Sequence, residues 1–273
     1  MSYWKGIGVG AAMAVLLLLG ACDSTQPPAP GSKTVFNRRN DPGAIRDLMK
    51  SAAEPAPQEG IAAAILLDTS GSMKDPIEAA GKQAAKLQIA QKALLNVLGQ
   101  FSNFARKHPE KKILVGIYDF STRRNQPSCR QVVRLGPPDV KSAESAINGM
   151  MPSGNTPIGD AMITAKKDLD ATGLNRRHIL VITDGENNIG YLPGDVAKVI
   201  VQEPEPLRAA IYFIAFDIGA ELFEPVRQAG GLVLAADSEK QLTGTLDYIL
   251  TGKILVEEPP PPAAPPHPVY RKK

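Results

Sequence analysis

The chain has 273 residues, with 31 Lys and Arg against 28 Asp and Glu, which gives a formal net charge of +3. This length allows one large domain with terminal extensions. The charges are nearly balanced and form no dense basic run with interleaved aromatic residues, so nucleic acid is not expected as a partner. Only two Cys are present, which excludes a disulfide framework, and their spacing fits no zinc motif.

The first 21 residues have the pattern of a secretory signal peptide. Lys5 is followed by a short apolar run that ends in small residues before Cys22. The segment Leu19-Gly20-Ala21-Cys22 resembles a bacterial lipobox, in which the Cys is lipidated and becomes the mature N-terminus. We therefore expect a signal peptide over residues 1–21 and a lipid-anchored protein of the bacterial cell envelope. Asp23 resembles a retention signal, which favours the periplasmic face of the inner membrane, with the outer membrane as the alternative.

Proline-rich segments flank the part of the chain that is expected to fold. Residues 22–58 are predicted to be a flexible tether, in which the stretch from Pro42 to Ala53 has the pattern of one short helix. Residues 254–273 contain a proline run typical of an extended polyproline tail. The remaining residues, 59–253, are predicted to form a single domain.

Strands and helices alternate through this domain. In chain order, the predicted elements are a strand over Ile61–Leu67, a helix over Pro76–Arg106, strands over Lys112–Phe120 and Cys129–Leu135, helices over Asp139–Met150 and Pro157–Ala171, a strand over His178–Thr183, a helix over Asp195–Val201, a strand over Ala209–Phe216, a helix over Glu221–Ala229, a strand over Leu232–Ala236 and a helix over Glu239–Thr251. The first strand is continuously apolar, which is typical of a parallel strand buried on both faces. The short connection over residues 121–127 favours a hairpin and hence one antiparallel edge strand. The pattern predicts an α/β fold, a doubly wound, mostly parallel six-stranded sheet with helices on both faces.

Oxygen-bearing side chains follow two of these strands. Asp68-Thr69-Ser70-Gly71-Ser72 is a D-x-S-x-S motif, and Asp184 comes directly after a second strand. In an extended segment, alternate side chains point the same way, so the carboxylate and the two Ser hydroxyls are expected to face one spot. Thr156 adds a hydroxyl at the start of a helix. Ligands of such sheets bind beyond the carboxyl ends of the strands, and all of these groups are hard oxygen donors suited to Mg²⁺ or Mn²⁺.

These segments, in this order, resemble a von Willebrand factor A domain with a complete metal-ion-dependent adhesion site. The resemblance covers about residues 59–253 and agrees with the predicted six-stranded sheet. It implies that the metal site consists of Asp68, Ser70, Ser72, Thr156 and Asp184. It further implies Mg²⁺ or Mn²⁺, with Ca²⁺ as an alternative, and a protein partner that supplies a Glu or Asp to the ion.

The expected function is a membrane-anchored, metal-dependent protein-binding module. The alternative is a scaffold or regulatory subunit of an envelope machine, such as a secretion, pilus or ATPase-associated complex, in which the metal is mainly structural. Catalysis is not expected, because Ser70 stands where a phosphatase D-x-D motif has its second carboxylate and no Walker-type phosphate loop is present. No small-molecule substrate is expected.

Overall fold

The computed structural model describes residues 36–37, 41–51, 55–79, 81–205 and 207–256. The predicted signal peptide, the lipidation site Cys22, Asp23 and the proline run of the predicted tail lie outside these residues. Within the described part of the chain, no helix combines the length and the apolar character needed to cross a bilayer.

Ten strands and seven α-helices make up the described chain. The strands are β1 Phe36–Asn37, β2 Gln58–Asp68, β3 Pro76–Ala79, β4 Lys82–Ala85, β5 Ile113–Phe120, β6 Cys129–Gly136, β7 Leu174–Thr183, β8 Ile189–Gly190, β9 Ala209–Phe216 and β10 Leu232–Ala236. The helices are α1 Pro42–Met49, α2 Lys86–Lys107, α3 Val140–Asn148, α4 Ile158–Asp170, α5 Pro193–Gln202, α6 Glu224–Gln228 and α7 Glu239–Ile249. Two 3-10 turns, Gly71–Lys74 and Ala220–Phe223, and one π-helical turn, Leu250–Ile254, complete the set.

The central sheet has six strands in the order β10-β9-β7-β2-β5-β6. Every neighbouring pair is parallel except β5 with β6, which is antiparallel and forms one edge. The predicted α/β fold, a mostly parallel sheet with one antiparallel strand and helices around it, is therefore confirmed.

The sheet is covered on both faces, and its central strand β2 is apolar at every position from Ile61 to Leu67. On β2, Ile65 and Leu67 belong to the core that packs under α2 and α7, whereas Ala64 and Leu66 belong to the core under α4 and α5. Side chains of a strand alternate between faces, so a continuous apolar run fills both cores at once. This arrangement leaves the carboxyl ends of the strands as an open edge.

The predicted helix over Pro76–Arg106 is wrong in its first ten residues. The chain instead forms a small antiparallel hairpin from β3 and β4, and α2 begins only at Lys86. Gly81 adopts a positive φ of 77° in the turn, a conformation that favours glycine. The apolar residues at helical spacing begin only at Leu87, so nothing draws the preceding residues into the helix.

The predicted flexible tether, 22–58, contains a helix that packs on the domain. Ile45 and Met49 of α1 are buried in the core under α4 and α5, and Asp41 caps the helix by accepting a hydrogen bond from the backbone N–H of Gly43. At the other end of the domain, Ile254 is buried as well. The packed domain therefore extends beyond the predicted limits 59 and 253, because short amphipathic segments contribute apolar side chains to the core.

Substitutions in α1 test this packing. Ile45→Ala should lower the free energy of unfolding by roughly 2–4 kcal/mol, since it removes a fully buried side chain and leaves a cavity. Leu48→Ala is the matched control, because Leu48 on the same helix is 46% exposed and its loss should cost less than about 0.5 kcal/mol. Urea unfolding followed by circular dichroism measures both. Equal effects would show that α1 does not pack on the domain in solution.

Candidate metal centre

The predicted site lies at the carboxyl ends of two neighbouring strands. Asp68 is the last residue of β2, and Asp184 follows the last residue of β7. The two strands are paired in parallel up to Leu67 and Ile182, so the two carboxylates emerge at the same edge. Both are buried.

Hydrogen bonds join four of the five predicted residues. The backbone N–H of Ser70 donates to Asp68 Oδ1 at 2.7 Å. The hydroxyl oxygens of Ser70 and Ser72 are 3.2 Å apart, and the Ser72 hydroxyl donates to Asp184 Oδ1 at 2.8 Å. The D-x-S-x-S loop and the end of β7 are thus in direct contact.

The fifth residue, Thr156, faces the same spot. A Cβ atom placed on Gly185 would lie 3.3 Å from Thr156 Oγ1, 3.8 Å from Asp68 Oδ2 and 3.8 Å from Ser72 Oγ. Three oxygens from two separate segments, the D-x-S-x-S loop and the residues before α4, therefore surround one small space, and the absence of a side chain at Gly185 keeps that space open.

Ser72 does lie at the site, but not for the predicted reason, which was the alternation of side chains along an extended segment. Residues Gly71–Lys74 form a 3-10 turn and not an extended segment. The loop is held by the segment before α4, because Gly71 N–H donates to Gly154 O at 3.0 Å and Ser153 N–H donates to Thr69 O at 2.7 Å. Contacts between loops, and not the pleat of a strand, bring the two Ser hydroxyls together.

Several supporting residues were not identified from the sequence. The Thr183 hydroxyl donates to Asp68 Oδ2 at 2.6 Å. The side-chain oxygens of Asn188 and Asn187 accept hydrogen bonds, each of 2.8 Å, from the backbone N–H groups of Thr156 and Ile158. Asn side chains commonly form hydrogen bonds with loop backbone. The two adjacent Asn residues after β7 were therefore the feature of the sequence that could have indicated this support. They fix the position of the Thr156 hydroxyl.

A buried ion cluster lies next to the D-x-S-x-S loop. Arg130 donates to both carboxylate oxygens of Asp119, at 2.8 and 2.9 Å, and Arg123 donates at 3.2 Å. The Thr69 hydroxyl donates to the same carboxylate at 3.3 Å. Asp119 therefore lies at the same sheet edge as the site, but its charge is compensated by two arginines and it supports the loop.

The two carboxylates of the site are short of positive charge. Burial is the largest cause that raises the pKa of Asp68 to about 7, and the nearby charge of Asp184 also raises it. Burial likewise raises the pKa of Asp184. Lys86 Nζ, 3.2 Å from Asp184 Oδ2, is the cation that pairs with the site. Two close carboxylates against one ammonium make a position that favours a further cation.

The chemistry of the donors fits a hard divalent ion. The described residues include no cluster of three or more His, Cys, Asp or Glu placed to hold a metal, so any ion at this edge depends on hydroxyls as well as carboxylates. Three hydroxyls and two carboxylates are oxygen donors of the kind that Mg²⁺ and Mn²⁺ prefer. The residues at this edge therefore fit Mg²⁺ or Mn²⁺.

One known family matches part of the chain. Residues 63–186 match the family model for the von Willebrand factor type A domain, and the match spans all five predicted site residues. No curated protein matches the chain.

Solved structures share the fold at low sequence identity. The PilB minor pilin from Streptococcus sanguinis is 17% identical with a TM-score of 0.53, and the alignment covers 71% of this chain and 61% of the pilin. BatB from Bacteroides thetaiotaomicron is 17% identical with a TM-score of 0.53, and coverage is 70% of this chain and 97% of BatB. The pilus adhesin SpaC from Lactobacillus rhamnosus GG is 13% identical with a TM-score of 0.54, and coverage is 76% of this chain and 31% of the adhesin. The chain thus spans about three fifths of the pilin and under a third of the adhesin. With the six-stranded sheet, these likenesses lead to one conclusion: the domain has a von Willebrand factor A-like α/β fold, and its residues 63–186 are similar to that family.

Proposed function

We propose that this protein is a metal-dependent binding module that captures an acidic side chain of a protein partner, and that it is held at a bacterial membrane through lipidated Cys22. The observation that carries the proposal is the convergence of Thr156, Asp68 and Ser72 oxygens around the space beside Gly185. Domains of this family generally mediate contacts between proteins. The solved structures that share the fold include a minor pilin and a pilus adhesin.

Each residue of the site has a role in the proposal. The hydroxyls of Ser70, Ser72 and Thr156 would hold Mg²⁺ or Mn²⁺, and the carboxylates of Asp68 and Asp184 would balance its charge, in part through water. When bound, such an ion supplies a coordination position that an oxygen of a partner's Glu or Asp can fill. Three neutral hydroxyls leave more positive charge on that position than three carboxylates would, which favours an anionic guest.

The surroundings of the site suit a protein partner. Ser72 and Gly185 are partly exposed, and Glu186 beside them is exposed. Met151, in the loop that binds the D-x-S-x-S segment, is 66% exposed. An exposed apolar side chain in a loop that supports the site offers a partner an apolar contact in addition to the charged one. We assign binding and no catalytic step to this edge.

Thermal unfolding of the purified protein tests the metal site. Mg²⁺ or Mn²⁺ should raise Tm, because an ion that binds only the folded state adds about 2.7 kcal/mol of stability at ~100 times its Kd. Thr156→Val, which removes one hydroxyl at nearly constant volume, should abolish most of the shift. Gly185→Ala should do the same, since its Cβ enters the space between the oxygens.

Gly244→Ala is the matched control for the glycine variant, because nothing lies within 4 Å of a Cβ at that position. It should keep the full metal response. If Thr156→Val and Gly185→Ala respond to metal as the wild type does, the site is misassigned.

Capture from native membranes tests the partner and separates the two functions. Binding that is lost on chelation and in Thr156→Val supports capture through the metal. Binding that survives both supports a scaffold or regulatory subunit in which the ion only braces the loops.

A further inference from the structure

One buried lysine, Lys86, lies at the sheet edge that carries the proposed metal site. Lys86 is the first residue of α2, and its side chain is only 9% exposed. Its Nζ lies 3.2 Å from Asp184 Oδ2 and 2.7 Å from Asp217 Oδ2. Asp217 directly follows β9, and its backbone N–H donates to Ala236 O at 2.8 Å. The ammonium therefore connects the ends of two neighbouring strands, β7 and β9.

The two oxygens of the Asp184 carboxylate have different partners, one in the D-x-S-x-S loop and the other at Lys86. Oδ1 accepts from the Ser72 hydroxyl, and Oδ2 accepts from Lys86. Both oxygens are held by the chain's own groups. Ser72 and Lys86 thus both contribute to the orientation of this carboxylate.

The charges at this edge give the lysine a second effect. Asp68 and Asp184 are two buried carboxylates in one site, and Lys86 neutralises one of them. A positive charge this close to the site repels any further cation that binds there. Counting Asp68, Asp184 and Asp217 against Lys86 and a divalent ion, the filled site is about neutral; without the lysine it would carry a net negative charge, which disfavours an incoming carboxylate.

We propose that Lys86 is a positioning residue of the metal site, an internal cation that holds Asp184 in place before metal binds and lowers the affinity for the divalent ion. This inference rests on the proposed function. Its distinctive consequence is that removing the lysine charge strengthens metal binding, whereas damage to a purely structural residue would weaken it.

Two variants separate the charge of the lysine from its hydrogen bonds. Lys86→Gln keeps a donor for Asp184 and removes the charge, and Lys86→Met removes both. Isothermal titration of Mg²⁺ and Mn²⁺ into the purified protein should show about tenfold tighter binding in Lys86→Gln than in the wild type. Without metal, both variants should have a lower Tm than the wild type, and the decrease should be larger for Lys86→Met. Added metal ion should raise the Tm of both variants back towards that of the wild type. Lys92→Gln is the control, because Lys92 forms an exposed pair with Glu239 and should change neither quantity.

The outcomes are distinct. Equal or weaker metal binding in Lys86→Gln, with the wild type binding normally, overturns the role of Lys86 and leaves the metal site intact. Absence of binding in both the wild type and Lys86→Gln overturns the metal site itself and this inference with it. If Lys86→Met does not fold without metal, the titration of Lys86→Gln decides.

Discussion

Asp119→Ala is expected to lower the free energy of unfolding by about 3–5 kcal/mol, because it removes the anion from a buried ion cluster. The Asp119 side chain is 4% exposed and accepts from both Arg130 and Arg123. Without it, two guanidinium groups lie close together in a poorly hydrated place. Burial and the charge of Arg130 lower the pKa of Arg123, whereas the charge of Asp119 opposes this shift. Urea unfolding measures the loss.

An exposed ion pair provides the comparison. Glu224 and Arg227 pair on the surface with both side chains 44% exposed, so Glu224→Ala should cost less than about 1 kcal/mol. Asp119→Ala should also reduce the metal-induced rise in Tm, because the Thr69 hydroxyl that bonds to Asp119 belongs to the D-x-S-x-S loop. A cost below that of Glu224→Ala would contradict a stabilising role for the cluster.

Acidification should destabilise the domain through His178. This side chain is buried on β7, where its Nδ1 lies 3.3 Å from the Tyr212 hydroxyl. Burial, with a smaller contribution from the charge of Arg176, lowers the pKa of His178 from 6.5 to about 3. The unfolded chain therefore binds a proton below pH ~6.5 that the folded chain rejects until pH ~3. The contribution of neutral His178 to the free energy of unfolding is fully present above pH ~6.5. It is lost as the pH falls, and the loss reaches about 3 kcal/mol at pH ~4.

A variant without the titrating group isolates this contribution. His178→Phe has an aromatic ring of similar size that can pack against Tyr212, and it cannot bind the proton. Unfolding free energies of both proteins at neutral pH and at pH ~4 should show a loss that is about 3 kcal/mol larger in the wild type. Parallel losses in the two proteins would mean that the folded state accommodates the His178 proton.

The sequence by itself determined the fold class and the set of side chains at the sheet edge. β9 and β10 have the predicted limits, because buried parallel strands are short apolar runs bounded by polar residues. Asp68 and Asp184 were placed at one edge because each directly follows a parallel strand. The metal, the lipid anchor and the partner stay predictions, each with its own test.

Only the tertiary structure decided how the site is held. The hairpin before α2 and the packing of α1 depend on distant surfaces that local patterns do not describe. Lys86 meets Asp184 across 98 residues of chain, and Arg130 meets Asp119 on the neighbouring strand. The identity of a charged residue does not reveal its partner, because ion pairs between separate segments form only where packing brings those segments together. The same physical reason explains why Asn187 and Asn188, which fix Thr156, were recognised only in three dimensions.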